Sequence, residues 1–118
     1  MTGKKEWAVG DGFIPSTKNG GYESHEAICV LNTTDKDATI TVTVYFEDRE
    51  PLSDFVAVCP ARRANHIRLD KIINKNGERI PKDTPYAMTV ESTEPIVVQH
   101  SRMDVSQPEM TLMTTIAY

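Results

Sequence analysis

The sequence predicts an all-β protein, an antiparallel β-sandwich of about eight strands. Apolar and polar residues alternate most clearly over 38–46, where every second residue is apolar and most residues between are threonines. Turn-forming residues separate such segments at spacings of about 8–12 residues, and no segment has a sustained helical period. This combination is typical of antiparallel sandwiches and barrels.

The first half of the chain supplies four predicted strands, each bounded by turn residues. A short strand over 7–9 ends at Gly10-Asp11-Gly12, and a loop rich in Pro, Ser, Asn and Gly follows. The second strand covers 22–31 and is apolar on both faces toward its end. The third covers 38–46, and the fourth covers 55–59, where Pro60 interrupts it.

The second half supplies four more. Residues 61–69 alternate as a strand, and 70–84, with Asn76-Gly77 and two prolines, reads as loop. A strand over 86–91 is followed by a predicted turn at Ser92-Thr93-Glu94-Pro95. The last two strands are the stretch 95–102 and the closing segment 110–118, which is expected to tie the C-terminus into a sheet.

The stretch 95–102 begins as a buried strand and ends in polar residues. Alternation places Ile96, Val98, His100 and Arg102 on one face and Val97, Gln99 and Ser101 on the other. An imidazole and a guanidinium in line with core residues are costly to bury without partners. Either the strand runs out to solvent here, or a polar pocket lies at the end of the core.

Composition describes an ordinary globular protein. The 118 residues fit one domain over 1–118, with 39% hydrophobic and 25% charged residues. The net charge of −4 argues against nonspecific nucleic-acid binding. We expect a soluble cytoplasmic protein because no signal-peptide pattern or long apolar run is present. Cys29 and Cys59 are then expected to be reduced thiols rather than a disulfide.

The residues contain no pattern typical of an enzyme, a metal site or a bound cofactor. His25 and Glu26 are neighbours on a strand and point to opposite faces, and no nucleophile elbow is present. The histidines and cysteines lack zinc spacing. The basic residues Arg62, Arg63, His66 and Arg68 form either an exposed strand face or a site for an anion, a carboxylate or sugar hydroxyls.

Six stretches, taken in order, make the chain similar to the sensory rhodopsin transducer family over nearly its whole length. They are Trp7-Ala8 with Gly12-Phe13-Ile14-Pro15, Ser24-His25-Glu26 with Cys29-Val30-Leu31-Asn32, Pro60-Ala61-Arg62-Arg63 with His66, Ile80-Pro81 with Asp83-Thr84, Pro95-Ile96-Val97-Val98-Gln99-His100-Ser101-Arg102, and Thr115-Ile116-Ala117-Tyr118. The resemblance implies a β-sandwich, a homotetramer and a non-enzymatic role. It also implies a small-molecule ligand, with sugars or related metabolites as the expected class.

The resemblance places the ligand site on polar residues of these stretches. The matching positions are His25, Glu26, Arg62, Arg63, His66, Gln99, His100 and Arg102, with Trp7 either a core residue or a stacking surface. Opposite-facing neighbours cannot all line one pocket. Glu26 and Gln99, or else His25 with His100 and Arg102, are then expected at a subunit interface.

Two functions follow as hypotheses. The first is a cytoplasmic ligand-binding and signalling module for a small polar molecule such as a sugar, with Arg62 and Arg102 as anchoring donors. The alternative is a signal transducer that docks on the cytoplasmic face of a sensory rhodopsin or another membrane receptor. A purely structural assembly, in which the polar residues form interface salt bridges, is the third possibility.

Overall fold

The computed structural model describes residues 2–118 and contains nine β-strands and no helix within that range. The strands are β1 (Lys4–Gly12), β2 (Lys18–Asn19), β3 (Tyr22–Glu23), β4 (His25–Asn32), β5 (Ala38–Phe46), β6 (Leu52–Cys59), β7 (Arg63–Arg68), β8 (Tyr86–Asp104) and β9 (Thr111–Ile116). Every strand pairing is antiparallel. The predicted all-β antiparallel fold is therefore confirmed.

Strand β8 is the element that the two sheets share. Its first half pairs with β1 and β5, and its second half pairs with β4 and β9. The first sheet thus runs β6-β5-β8-β1 and the second runs β7-β4-β8-β9. Together they curl into a half-barrel.

The turn predicted over 92–95 is wrong, because β8 continues through it for 19 residues. None of the strand pairings in the described chain includes 93–95. The strand passes there from one sheet to the other, so Pro95, which has no N–H, removes no ladder hydrogen bond. Turn-forming residues here mark a change of sheet rather than a reversal of the chain.

Contacts join the two sheets along both sides of the half-barrel. On one side, the Asn65 side-chain amide of β7 donates to the Val58 carbonyl of β6 over 2.9 Å. On the other, Ala8 and Tyr118 exchange backbone hydrogen bonds, so the chain end crosses from β9 to β1. The prediction that the C-terminus is tied into a sheet is confirmed.

The apolar core fills the space between the sheets. The predicted inward face of β5 is confirmed, since Ala38, Ile40, Val42 and Val44 are at most 1% exposed. Burial of a side chain of this size contributes roughly 1.5–3 kcal/mol to stability. Other fully enclosed residues are Ile14, Ile28, Phe55, Leu69, Val90, Ile96 and Val98.

Several strand boundaries differ from the sequence prediction: β1 covers Lys4–Gly12 and includes the predicted turn at 10–12, and β6 begins at Leu52 rather than at 55. Gly20, with a φ of 62°, forms the turn of a small β2–β3 hairpin. Its strand β3 takes the first residues of the predicted second strand, so the long strand β4 begins only at His25. Cys29 and Cys59 are free thiols, as predicted. The connection between β7 and β8, residues 69–85, is irregular as predicted, apart from an isolated bridge between Ile73 and Arg79.

Strand β9 is unlike the other strands of the two large sheets because all six of its residues are exposed. Leu112 is 72% exposed and Ile116 is 71% exposed. One face of β9 points to solvent and the other lies over a cleft described below. No helix in residues 2–118 is long and apolar enough to cross a membrane.

Candidate functional site

A buried carboxylate, Glu26, lies on the inner face of β4. Alternation on this strand points Glu26, Ile28 and Val30 into the core, and Glu26 is 0% exposed. The register with β8 sets Glu26 opposite Arg102 and Ile28 opposite His100. Because residues directly opposite each other point to the same face, these polar side chains meet inside the half-barrel.

Four donors surround the Glu26 carboxylate. Its Oε2 accepts from the Phe13 backbone N–H at 2.8 Å and from Arg102 Nε at 3.0 Å. Its Oε1 accepts from His100 Nε2 at 2.9 Å and from the Tyr86 hydroxyl. We call Glu26, Tyr86, His100 and Arg102 the Glu26 cluster. Since a carboxylate offers about four acceptor positions, its hydrogen-bonding capacity is filled.

These contacts decide the charge of Glu26. Burial on its own raises the pKa of the carboxyl, but hydrogen bonds from His100, Tyr86 and the Phe13 N–H outweigh burial and hold the pKa below its ordinary value. Glu26 is therefore an ionised acid inside the core. Burial, and next the charge of Glu26, raise the pKa of Tyr86, so its phenol stays protonated and donates.

The end of β1 is fitted to the same cluster. Arg102 Nη2 donates to the Asp11 carbonyl at 3.1 Å and lies 3.6 Å from the Asp11 carboxylate. A Cβ on Gly12 would lie 2.4 Å from the Tyr86 ring, so only glycine allows the ring to pack there. The Glu26 cluster thus fastens β1, β4, β8 and the segment after β1 to one another.

A cleft of about 290 Å³ opens beside the cluster, between β1 and β9. Its lining residues are Val9, Gly10, Asp11, His100, Met113, Thr115, Ile116 and Tyr118. His100 belongs both to this lining and to the Glu26 cluster, whereas Glu26 itself is enclosed. His100 is therefore the residue of the Glu26 cluster that borders the cleft.

Of the nine predicted site residues, the structure brings three together: Glu26, His100 and Arg102. The grouping of His25 with His100 and Arg102 is wrong, since His25 lies opposite Met103 on the outer face. The grouping of Glu26 with Gln99 is also wrong, since Glu26 lies on the inner face and Gln99, opposite Cys29, on the outer face. Alternation fixes faces within one strand, but only the register between strands decides which faces coincide.

The basic run lies elsewhere. Arg62 has a φ of 56° in the turn before β7, and its guanidinium is 3.5 Å from the exposed Asp35 carboxylate. Arg63 Nη1 donates to the Arg62 carbonyl at 2.9 Å, and His66 is exposed opposite Cys29. None of these three side chains makes a hydrogen bond or ion pair with the Glu26 cluster in the part of the chain that the structure describes.

Trp7 and His25 each have a local role. The Trp7 indole donates to the carbonyls of Lys4 and Ile96 at 3.0 and 3.1 Å, and the Lys4 ammonium lies 4.6 Å from the ring centroid. The His25 Nδ1 donates to the Glu23 carbonyl at 3.2 Å. Both side chains are half-buried.

Sequence reasoning missed Tyr86 and Asp11. A signal for Tyr86 existed: it begins the inward-facing series that continues with Met88 and Val90, and a buried tyrosine hydroxyl needs a partner. Nothing in the sequence indicated that the Asp11 carbonyl would accept from Arg102. Among residues 2–118, no three His, Cys, Asp or Glu side chains are placed to hold a metal ion.

Comparison with known proteins gives a consistent result. A family model described as Anabaena sensory rhodopsin transducer matches residues 2–118. A crystal structure described as Thermotoga maritima 1070 is 42% identical over 100% of this chain and 96% of that one, with a TM-score of 0.89. A structure of the Anabaena sensory rhodopsin transducer is 38% identical over 92% of this chain and 96% of that one, with a TM-score of 0.78. No curated protein matches.

Proposed function

This chain belongs to the Anabaena sensory rhodopsin transducer family, and from that premise we propose that it is a non-enzymatic signal transducer that contacts a membrane receptor such as a sensory rhodopsin. The observation that carries the proposal is the similarity to the Anabaena sensory rhodopsin transducer over 92% of the chain. Contact on the cytoplasmic face of the receptor then makes this a cytoplasmic protein.

The surface that we assign to the receptor is the outer face of the first sheet. Glu6 of β1 lies directly opposite Glu91 of β8, and both are exposed. Neither forms an ion pair within the described residues. Like charges directly opposite each other destabilise a sheet, so the fold gains nothing from this pair.

The two carboxylates lie in a shallow groove of about 280 Å³ that we call the acidic groove. Tyr45, Thr89 and Tyr118 also line it. Carboxylates and aromatic rings together bind Lys and Arg side chains. The cytoplasmic loops of membrane proteins carry an excess of these two residues, so the groove is complementary in charge to a receptor loop.

We assign the outer face of the second sheet to a second copy of this chain, as part of a homotetramer. Its outward residues include no carboxylate: they are Ala64, His66, Arg68, His25, Ala27, Cys29, Leu31, Val97, Gln99, Ser101, Met103, Leu112, Thr114 and Ile116. Homodimer interfaces are depleted of charge. Since each copy carries a net charge of −4, copies repel least where they meet at a face without acids.

Sedimentation of the purified protein tests the assembly. Leu112→Lys places a charge on the proposed interface and is expected to shift the tetramer toward smaller species. Thr43→Lys places the same charge on the outer face of the first sheet and should leave the assembly intact. A monomeric wild-type protein would contradict the assignment.

Binding to a sensory rhodopsin in lipid vesicles tests the receptor contact. Reversing both groove charges, with Glu6→Lys and Glu91→Lys, should weaken co-sedimentation with the vesicles at least tenfold. The matched control reverses Glu50 and Glu109, two exposed loop carboxylates, for the same change in net charge. If both double variants lost the same amount of binding, only the net charge of the protein would matter. Wild-type protein that does not co-sediment with the receptor vesicles would contradict the proposal.

A second candidate function is binding of a small polar molecule such as a sugar. The observation that favours it is the cleft beside His100, where an occupant would contact the Glu26 cluster. A ligand at about 100 times its dissociation constant stabilises the folded state by about 2.7 kcal/mol, or several degrees in Tm. Thermal shifts with sugars and sugar acids test this function, and a flat response across the panel would count against it.

A further inference from the structure

The β7–β8 connection is long for a segment without regular strands, and it is nevertheless well fixed. Connections beyond about 12–15 residues are uncommon in compact domains and are usually functional or disordered. This one is held at both ends, where the Leu69 N–H donates to the Glu26 carbonyl at 2.8 Å and the Asp83 N–H donates to the Ile14 carbonyl at 2.9 Å. Between them, the Asn74 side chain accepts two backbone N–H groups at 2.8 and 3.0 Å.

This fixed connection forms most of a cleft of about 470 Å³ against β3. The lining residues are Glu23, Asp70, Lys71, Arg79, Ile80, Pro81 and Lys82. We call it the cationic cleft. Ile80 is 4% exposed and anchors the wall to the core.

Both acids of the cationic cleft are already neutralised. Asp70 accepts two hydrogen bonds from the Arg68 guanidinium, at 2.7 and 2.8 Å. Glu23 forms an ion pair with Lys18 at 3.0 Å. Each carboxylate is therefore paired with a cation that does not line the cleft, and the lining keeps an excess of positive charge.

The three cations of the cleft have no such partner. In the described chain, Lys71, Arg79 and Lys82 form no ion pair. Arg79 Nη1 reaches only the Asp70 carbonyl, at 3.5 Å. The carboxylate of Asp83, next to Lys82, accepts the Ser16 N–H at 3.0 Å. Three cations without an ion pair among the described residues thus line one cleft of a protein whose net charge is −4.

We propose that the cationic cleft is a binding site for the phosphate ester of a small metabolite. A dianionic phosphoryl group matches a guanidinium fork flanked by two ammonium groups better than a monoanion does. The volume exceeds what a phosphoryl group needs, and Pro81 offers apolar contact to the organic part. The site is separate from the acidic groove and from the cleft beside His100, so it does not depend on either proposed function.

NMR titration of the ¹⁵N-labelled protein with glucose 6-phosphate, inorganic phosphate and glucose tests the proposal. The ester should produce saturable shifts confined to amides of β3 and the β7–β8 connection. Inorganic phosphate should bind the same amides more weakly, and glucose should leave them unchanged. Arg79→Ala should weaken binding of the ester at least tenfold.

Lys75→Ala is the matched control, because Lys75 is an exposed cation of the same connection that does not line the cleft. It should change the affinity for the ester less than twofold. The proposal would be overturned if both variants lost the same affinity for the ester. It would also be overturned if the shifts did not saturate, or if they appeared at amides near lysines all over the surface. Inorganic phosphate binding as tightly as the ester would overturn the assignment to an ester.

Discussion

Two basic motifs of this chain have similar composition, but one is packed against a buried acid and the other is exposed to solvent. The motif at the end of β8 contains His100 and Arg102, and both contact the buried acid Glu26. The motif at the start of β7 contains Arg62 and Arg63, and both are exposed to solvent. Residue type does not separate them, since each combines arginine with a nearby histidine.

The difference lies in what the opposite strand supplies. The β4–β8 register sets Glu26 opposite Arg102, whereas the β4–β7 register sets Asn32 opposite Arg63. A carboxylate inside the core must be paired, so its presence fixes the side chains around it. An arginine in a turn can remain hydrated, and the ion-pair partner of Arg62, Asp35, is exposed as well.

The largest effect is expected from removing the shared acid. Glu26→Ala leaves His100, Tyr86 and Arg102 without their acceptor in a buried site, and we expect a loss of about 3–5 kcal/mol in the free energy of unfolding. Urea denaturation followed by fluorescence measures it. A loss below about 1 kcal/mol would mean that the cluster adds little to the fold.

Crowding the cluster should have the next largest effect. Gly12→Ala drives a methyl group into the Tyr86 ring, and overpacking of this kind costs about 1–3 kcal/mol. Gly10→Ala is the control, because nothing lies within 4 Å of its added Cβ. Thermal unfolding of the two variants should therefore differ, and equal Tm values would place the Tyr86 ring elsewhere.

Stability should also depend on pH through Glu26. The pKa of Glu26 in the folded state lies below the ordinary value of 4.5, because hydrogen bonds from His100 and Tyr86 outweigh burial. The resulting stabilisation is fully present above the unfolded-state pKa and is lost as the pH falls through the folded-state pKa. Measured between about pH 6 and pH 3, the free energy of unfolding should fall more steeply for wild type than for Glu26→Gln. If the free energies of unfolding of wild type and Glu26→Gln fell equally with pH, Glu26 would not be the source of the pH dependence.

The smallest effect should come from the exposed motif. Arg62→Ala removes a weak surface ion pair and should change the free energy of unfolding by less than about 0.5 kcal/mol. Arg102→Ala removes a charged hydrogen bond to a buried acid and should cost about 1.5–3 kcal/mol. If urea denaturation gave equal costs for the two arginines, the contrast between the motifs would fail.

Local pattern was enough to predict much of the fold. The bounds of β5 match the predicted 38–46, and the predicted face of Ile96, Val98 and His100 is the buried one. Both follow from alternation along a single strand. The continuity of β8 could not be predicted, because Ser92-Thr93-Glu94-Pro95 favours a turn locally, and the strands that pair with β8 before and after this segment keep it extended.

The candidate site was predictable only in part for a related reason. Glu26, His100 and Arg102 were recognised as polar residues on largely apolar strands. Their convergence depends on the register between β4 and β8, and the contribution of Tyr86 depends on a strand that continues through 92–95. The register and the continuity of β8 both depend on contacts between distant segments of the chain, which no local sequence pattern predicts.

The central claim is that Glu26 is an ionised acid within the core, and its side-chain carboxyl can be observed directly. Titration of the ¹³C carboxyl resonance of Glu26 by NMR is therefore the most direct measurement. The structure predicts that the midpoint of this titration lies below pH 4.5, the ordinary pKa of the group. A carboxyl that takes up its proton above pH 4.5 would contradict the claim and would mean that burial outweighs its hydrogen bonds.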